Sequence, residues 1–293
     1  MHLSNLSVRF MRTVRYKRYD GSATAQEHQT QQNHLDALEQ WKTTFSYLQA
    51  TKEPSTKDLE AAKLLEIHRI VGLAWLRSCL APEETATDRD IPSFSAALNL
   101  AEELQQSQQA AAASNTLQPG QDSFNSTFFF DMEVVAPLYM IATKCRHALL
   151  RRRAIALLRS ITRREGLWDS QEAAAVAERV MAHEEAELTT LDGSELPAEA
   201  LRVHTTHIEN SPVLNFSLHD LTFYSRRDGN WRIWREQLLL QTVNGENVMN
   251  AAADNDDGSA MSLHWKFPLG QVRPVDAVVG HGCEIAGDGF AQA

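Results

Sequence analysis

The stretch LYMIATKCRHALLRRRAIALLRSI, from Leu138 to Ile161, decides the fold. Leu138, Ile141, Ala142, Cys145 and Leu149 recur at helical spacing on one face. Ala154, Leu157, Leu158 and Ile161 fall on another face, out of phase with the first. One straight helix cannot carry both stripes, so the pattern predicts two helices with a corner near Arg146 to Leu150. Gly166 reads as the C′ residue that ends the second. Asp169 or Ser170 reads as the cap of a third, running through Ala173, Val176 and Val180 to about Leu188.

Upstream the same period continues. Leu35, Leu38, Trp41, Phe45 and Leu48, then Leu59, Ala62 and Leu65, then Ile70, Leu73, Ala74 and Leu76 predict at least two amphipathic helices. Ser55 or Thr56 is the cap between them and Pro82 the stop. Asp90-Ile91-Pro92-Ser93 opens a further helix through Leu98, Leu100 and Leu104. This helix runs out into Gln/Ala-rich sequence and a loop from Ser114 to Ser123.

Downstream of Pro197 the period changes from 3.6 to 2. Leu214, Phe216 and Leu218 alternate, and Leu221 and Phe223 follow after a slip that a β-bulge explains. Trp231, Ile233, Leu238 and Leu240 supply a partner strand across an Asp228-Gly229-Asn230 turn. The tail from Thr242 carries Asp254-Asn255-Asp256-Asp257 and no sustained period, which predicts a disordered acidic segment. The predicted fold class is mainly α, an array of antiparallel helical hairpins with a small C-terminal β-hairpin. It is organised as a basic flexible segment over 1–30, a helical domain over 31–241 and the tail over 242–293.

Composition narrows the function. The chain has 293 residues, 43% of them hydrophobic and 23% charged, enough apolar surface to bury a core without staples. Three cysteines, Cys79, Cys145 and Cys283, are too few and too dispersed for a disulfide framework or a closed zinc site. A net charge of −10 gives the whole chain no footprint for wrapping nucleic acid. No apolar run is long enough to span a bilayer, which predicts no membrane partner. The arginine-rich, acid-poor start also has the composition of a mitochondrial transit peptide.

Few residues have catalytic spacing. His183-Glu184-Glu185 lacks the second histidine of a helical zinc protease and reads as a solvated helix face. His204 and His207 are three apart but have no third ligand of matching spacing. Cys283, next to His281, has no fixed base or oxyanion donors in such a tail. The run from Lys144 to Arg164 holds Arg146, Arg151, Arg152, Arg153, Arg159 and Arg163 without an acid, and it offers phosphate-binding arginines. The following helix carries Glu172, Glu178, Glu184, Glu185 and Glu187. The favoured reading is therefore pairing of basic and acidic faces across a helical hairpin. Phe128-Phe129-Phe130, Trp41, Trp75 and Trp168 read as packing residues.

The middle segment resembles a known family. Pro137-Leu138 through Cys145-Arg146, then Arg151-Arg152-Arg153, Arg164-Glu165-Gly166-Leu167-Trp168 and Glu184-Glu185 closely resemble the C-terminal regulatory half of fungal transcription factors of the six-cysteine binuclear zinc cluster family. The helices around Trp41, Leu64-Leu65 and Phe94 to Leu104, and the hairpin at Asp228-Gly229-Asn230-Trp231, follow in the same order. The resemblance covers residues 30 to 241. It implies a nuclear regulator whose helical region lies downstream of a DNA-binding module.

The six closely spaced cysteines of that module are absent. No zinc ligand or DNA-reading residue is therefore carried over, and the chain is read as the regulatory half alone. The resemblance implies no catalytic residues, and Cys145 is read as a small buried residue beside a structural arginine. The expected function is non-enzymatic transcription regulation, of a metabolic or secondary-metabolite gene set, without metal or other cofactor unless an upstream cysteine cluster supplies zinc. The expected partners are other transcription-regulatory proteins, a homo- or heterodimer among them, with DNA reached indirectly. Apolar grooves between the helices would take partner helices or a small effector. The alternatives are a helical binding scaffold outside transcription and an enzyme using His204, His207 or Cys283. A third is direct nucleic-acid binding through Lys144 to Arg164.

Overall fold

The computed structural model describes residues 2–51, 53–115, 128–129, 134–161, 164–166, 168–213 and 216–241. Its elements, in order, are α1 (His2–Val14), α2 (Lys17–Asp20), α3 (Ala25–Ala50), α4 (Thr56–Ser78), a 3-10 helix (Glu84–Asp90) and α5 (Ile91–Asn115). There follow β1 (Phe128–Phe129), α6 (Val135–Lys144), α7 (Ala148–Ser160), β2 (Arg164–Glu165), β3 (Trp168–Asp169) and α8 (Ser170–Glu184). A second 3-10 helix (Glu199–Leu201) precedes β4 (Val203–Val213), β5 (Phe216–Arg227) and β6 (Asn230–Gln241). The chain is mainly helical, as the sequence predicts, with two small sheets, β1–β3 and the C-terminal β4–β6. It divides into two compact units, residues 1–204 with 226–228, and residues 205–225 with those from 229 onward.

The first unit is built on capped helices. Thr24 and Ser55 each accept a hydrogen bond from the backbone N–H three residues on, and Glu27 and Asp58 reach back to close the two capping boxes. Asp169 accepts from Gln171 N and Glu172 N at the start of α8. The main core lies between α4, α5, α6, α7 and α8, with Phe94, Leu98, Leu138, Ile141 and Leu158 fully buried. Ala173, Ala174 and Ala177 supply the inner face of α8, and their small side chains let it lie close to its neighbours. A second cluster joins Met11 and Val14 of α1 to Leu38 of α3 and Leu73 and Leu76 of α4.

Several expectations shift. The corner between α6 and α7 falls at Cys145–His147, so Leu149 belongs to α7, where it is exposed, and Leu150 is buried instead. α7 ends at Ser160, where Ile161 turns extended. Gly166 therefore does not cap it. It sits at φ +58 between β2 and β3, in the left-handed region that glycine enters without strain. α5 continues through the Gln/Ala stretch to Asn115, as good helix formers allow. Residues 2–14, within the segment expected to be flexible, form α1, because Leu3, Phe10, Met11 and Val14 recur at helical spacing and pack against Leu35 and Leu38. The loop residues 116–127 and the tail from Thr242 lie outside the described residues.

β2 and β3 pair antiparallel, Arg164 opposite Asp169 and Glu165 opposite Trp168, and β1 adds parallel to β2. In the second unit the strand order is β4-β5-β6, so the expected hairpin gains a third strand. Leu221 and Phe223 are buried, as the sequence reading has them, but the start of β6 differs from that reading by one residue of phase. Trp231 and Ile233 are exposed, whereas Trp234 stacks on the buried Phe223 ring at 5.4 Å and Leu238 is buried.

Candidate functional site

Six of the residues that carry the resemblance, Cys145, Arg146, Arg151, Arg152, Glu184 and Glu185, converge on the corner between α6 and α7. There the last carbonyls of α6 lose their helical donors. Arg146 donates from Nη1 to Lys144 O at 2.9 Å, and Arg151 donates from Nε to Cys145 O at 3.1 Å. Both arginines are fully buried, so their charge requires carboxylates. Glu184, the last residue of α8, provides one. It accepts from Arg146 Nη2 at 3.0 Å and Nε at 3.2 Å, from Arg151 Nη2, and from Val203 N at 2.7 Å. Glu185 accepts from Arg152 Nη2 at 2.6 Å and lies 3.4 Å from Arg151 Nη1.

A second buried carboxylate completes the network. Glu84, in the first 3-10 helix, accepts from Lys144 Nζ at 2.7 Å, Arg146 Nη2 at 3.1 Å and Arg18 Nη2 at 3.0 Å. Thr87 donates to Lys144 O at 3.1 Å, and Arg202 forks onto Asp88 at 2.7 and 2.8 Å. Glu199 caps the 3-10 helix, accepting from Glu84 N and Thr85 N at 2.9 Å each. His204 lies 3.2 Å from Glu199 Oε1 and 5.5 Å, ring to ring, from Tyr19.

The electrostatics follow from burial set against these partners. Burial pushes the carboxyls of Glu84 and Glu184 up, but Lys144, Arg146 and Arg18 around the first, and Arg146 and Arg151 around the second, hold both below the usual range. Glu199 is likewise raised by burial and then drawn down to about 2 by His204 and the two backbone N–H groups. Burial lowers the Lys144 ammonium and raises the Tyr19 phenol to about 12.

Each of the three carboxylates has a folded pKa below its unfolded value. Its contribution to stability is therefore complete above about pH 4.5 and lost as pH falls through the folded value. The denaturant midpoint should be flat from pH 7 to 5 and fall steeply between about pH 4.5 and 2. The variant Glu199→Gln should show a shallower fall. A midpoint unchanged from pH 5 to 3 would contradict this account of the network.

The remaining motif residues also act in packing. Glu165 is buried and accepts from Val134 N at 3.2 Å and Val135 N at 3.0 Å, so it caps α6 from a distant turn. Pro137 lies in the first turn of α6, where no N–H is required of it, and Leu138 is buried beside it. Trp168 packs its ring 5.2 Å from Tyr139. Arg153 pairs with Glu102 of α5 at 2.8 Å, and Arg159 with Glu178 at 2.7 Å. Cys145 is fully buried, and burial raises its thiol to about 11, which makes it a packing residue. Arg164 is exposed on β2, and Gly166 forms the turn beside it.

Arg151, Arg152 and Arg159 pair with Glu184, Glu185 and Glu178 across the α7–α8 hairpin, as the sequence suggests. This pairing buries Glu184 and Glu185, which do not form the solvated face expected of His183-Glu184-Glu185. Sequence reading missed Glu84, Asp88, Glu199, Arg18 and Arg202. An acidic run at Glu83-Glu84 and Asp88 to Asp90 is visible in the sequence, but nothing local ties it to cations about 60 positions away.

The other chemical candidates do not assemble. His204 and His207 lie three apart on β4, so their side chains leave opposite sides of the strand. Among the described residues no three His, Cys, Asp or Glu side chains are grouped as metal ligands. His281 and Cys283 lie outside the described residues, as does Phe130. A groove of about 200 Å3 lined by Lys57, Glu60, Ala61, Leu64, Leu104 and Gln108 opens between α4 and α5, smaller and more polar than sites that enclose drug-sized ligands. No known protein family, curated protein or solved structure matches this chain.

Proposed function

We propose that this chain is a non-enzymatic transcription regulator, equivalent to the helical regulatory half of a fungal zinc-cluster factor, and that it acts through protein partners in the nucleus. The observation that carries the reading is the use made of the resemblance residues. Cys145, Arg146, Arg151, Arg152, Glu184 and Glu185 serve one buried network, and Glu165 caps the other end of α6, with each carboxylate bound to cations or backbone donors. A site that lowers a reaction barrier needs a group free to exchange a proton or attack a substrate. This cluster holds its groups in fixed charge states and joins α2, the first 3-10 helix, the α6–α7 corner, the end of α8 and residues 199–204. Its chemistry suits a rigid platform that presents surfaces.

The platform has surfaces to present. Tyr47 and Leu48 at the end of α3 and Leu59 and Leu65 on α4 are exposed apolar side chains of the kind partner helices cover. The test tethers the full chain to an unrelated DNA-binding domain above a reporter gene, and follows the tagged chain alone by microscopy. The expected result is a several-fold change in reporter output and nuclear accumulation. A chain that leaves the reporter unchanged and is excluded from nuclei would overturn the proposal.

A further inference from the structure

The cations from Lys144 to Arg159 are consumed inside the fold, whereas Arg9 and Arg12 of α1 are not. Arg146, Arg151, Arg152, Arg153 and Arg159 all hold carboxylates, as do Arg18, Arg69, Arg77 and Arg202. Arg9 and Arg12 of α1 are exposed, and among the described residues neither has a carboxylate within 4.0 Å. No acid occurs before Asp20. Asn5, Arg9, Arg12 and Tyr16 follow one another at intervals of three and four, so α1 and the residues just past it carry a single outward strip. Arg15 lies over the Tyr16 ring at 4.5 Å, and Tyr16 remains 51% exposed.

We infer that this strip is a sequence-independent binding surface for single-stranded nucleic acid. Guanidinium forks match phosphate oxygens in geometry as well as charge, and arginine is the residue suited to that contact. An exposed aromatic ring flanked by arginines adds a platform on which a base stacks, which an acidic peptide has no means to use. A membrane surface fits less well. An interfacial helix inserts an apolar face, and Leu3, Phe10, Met11 and Val14 of α1 are already packed against α3 and α4. The chain's net charge of −10 opposes binding at low salt, but charges more than about 8 Å away are largely screened at physiological ionic strength. The surface is accordingly weak, with a dissociation constant of order 10⁻⁴ to 10⁻⁶ M. The inference rests on the charge pattern of α1 and is independent of the transcriptional reading.

The experiment titrates the full chain against a labelled 20-nucleotide single strand of mixed sequence, by fluorescence anisotropy from 50 to 150 mM salt. With two to three arginines on phosphates, affinity should fall about five- to tenfold over that range, at a slope of about −0.7 per single-strand contact. The variant Arg9→Glu with Arg12→Glu should lose at least tenfold at 50 mM with an unchanged thermal melt, and Tyr16→Ala about fivefold. A charge-matched control, Arg232→Glu with Arg235→Glu on β6, should stay within twofold of the parent. Equal losses in both double variants would mean bulk charge and overturn the inference. Tighter binding to polyglutamate than to the oligonucleotide, or to anionic vesicles than to either, would overturn it in favour of an acidic protein or a membrane. Absence of binding at 50 mM would do the same.

Discussion

Replacing Glu184 by alanine should destabilise the protein by about 3–5 kcal/mol, the range for removing one partner of a buried ion pair. The loss is large because two fully buried guanidiniums are left behind. Arg146 keeps Glu84 at 3.1 Å, but Arg151 retains only Glu185 at 3.4 Å and the Cys145 carbonyl. Val203 N loses its acceptor in the same step. A chain of this size loses about 2–4 °C of Tm per kcal/mol, so calorimetry should register a fall of about 6–20 °C. Two comparisons separate lost charge compensation from lost packing. Glu178→Ala breaks a pair whose side chains are about 27% exposed and should cost less than about 1 kcal/mol. Adding Arg151→Met to Glu184→Ala should recover part of the loss, because it removes a stranded charge. A Glu184→Ala protein as stable as its parent would show that the network contributes nothing to holding the fold.

The variant Phe94→Ala should be comparably costly, about 3–5 kcal/mol, for a different reason. Phe94 is fully buried on α5, where it belongs to the same core cluster as Ile67, Ile70 and Val71 of α4 and Leu138 of α6. Deleting the ring removes its transfer energy and leaves a void that a close-packed helical core cannot collapse to fill. Chemical denaturation should show a lower midpoint with an unchanged slope, since the surface exposed on unfolding barely changes. Tyr47→Ala, at a site 70% exposed, should stay within about 0.5 kcal/mol. If the two variants lost stability equally, Phe94 would not be a core residue.

Much of the helical architecture was legible because burial on helices leaves a periodic trace. Leu138, Ile141 and Ala142 were placed in the core from spacing alone, as were Leu157, Leu158, Ala173 and Val176, and all are buried. Capping chemistry narrows the two helix starts to Ser55 or Thr56 and to Asp169 or Ser170, and Ser55 and Asp169 are the caps. The same reasoning missed by small phase errors where two elements meet. Leu149 was assigned to the face of α6, but the break at Cys145–His147 rotates it outward. Trp231 and Ile233 alternate as strand residues do and are exposed, because alternation does not say which face of a strand is covered. Gly166 was read as a helix end because a left-handed glycine serves a turn between strands equally well.

The sequence by itself determined the class of fold, the positions of the principal helices and the pairing of Arg151, Arg152 and Arg159 with the acidic helix after them. These are local or near-neighbour properties, set by period, capping residues and charge along adjacent elements. Tertiary structure alone decided which carboxylates complete the buried network. Glu84 lies 60 positions from Lys144, and Arg18 and Glu199 lie 66 and 115 positions from the Glu84 they meet, and no spacing rule reaches that far. It decided too that Arg9 and Arg12 of α1 face solvent, because whether an arginine is spent or available depends on what folds against it.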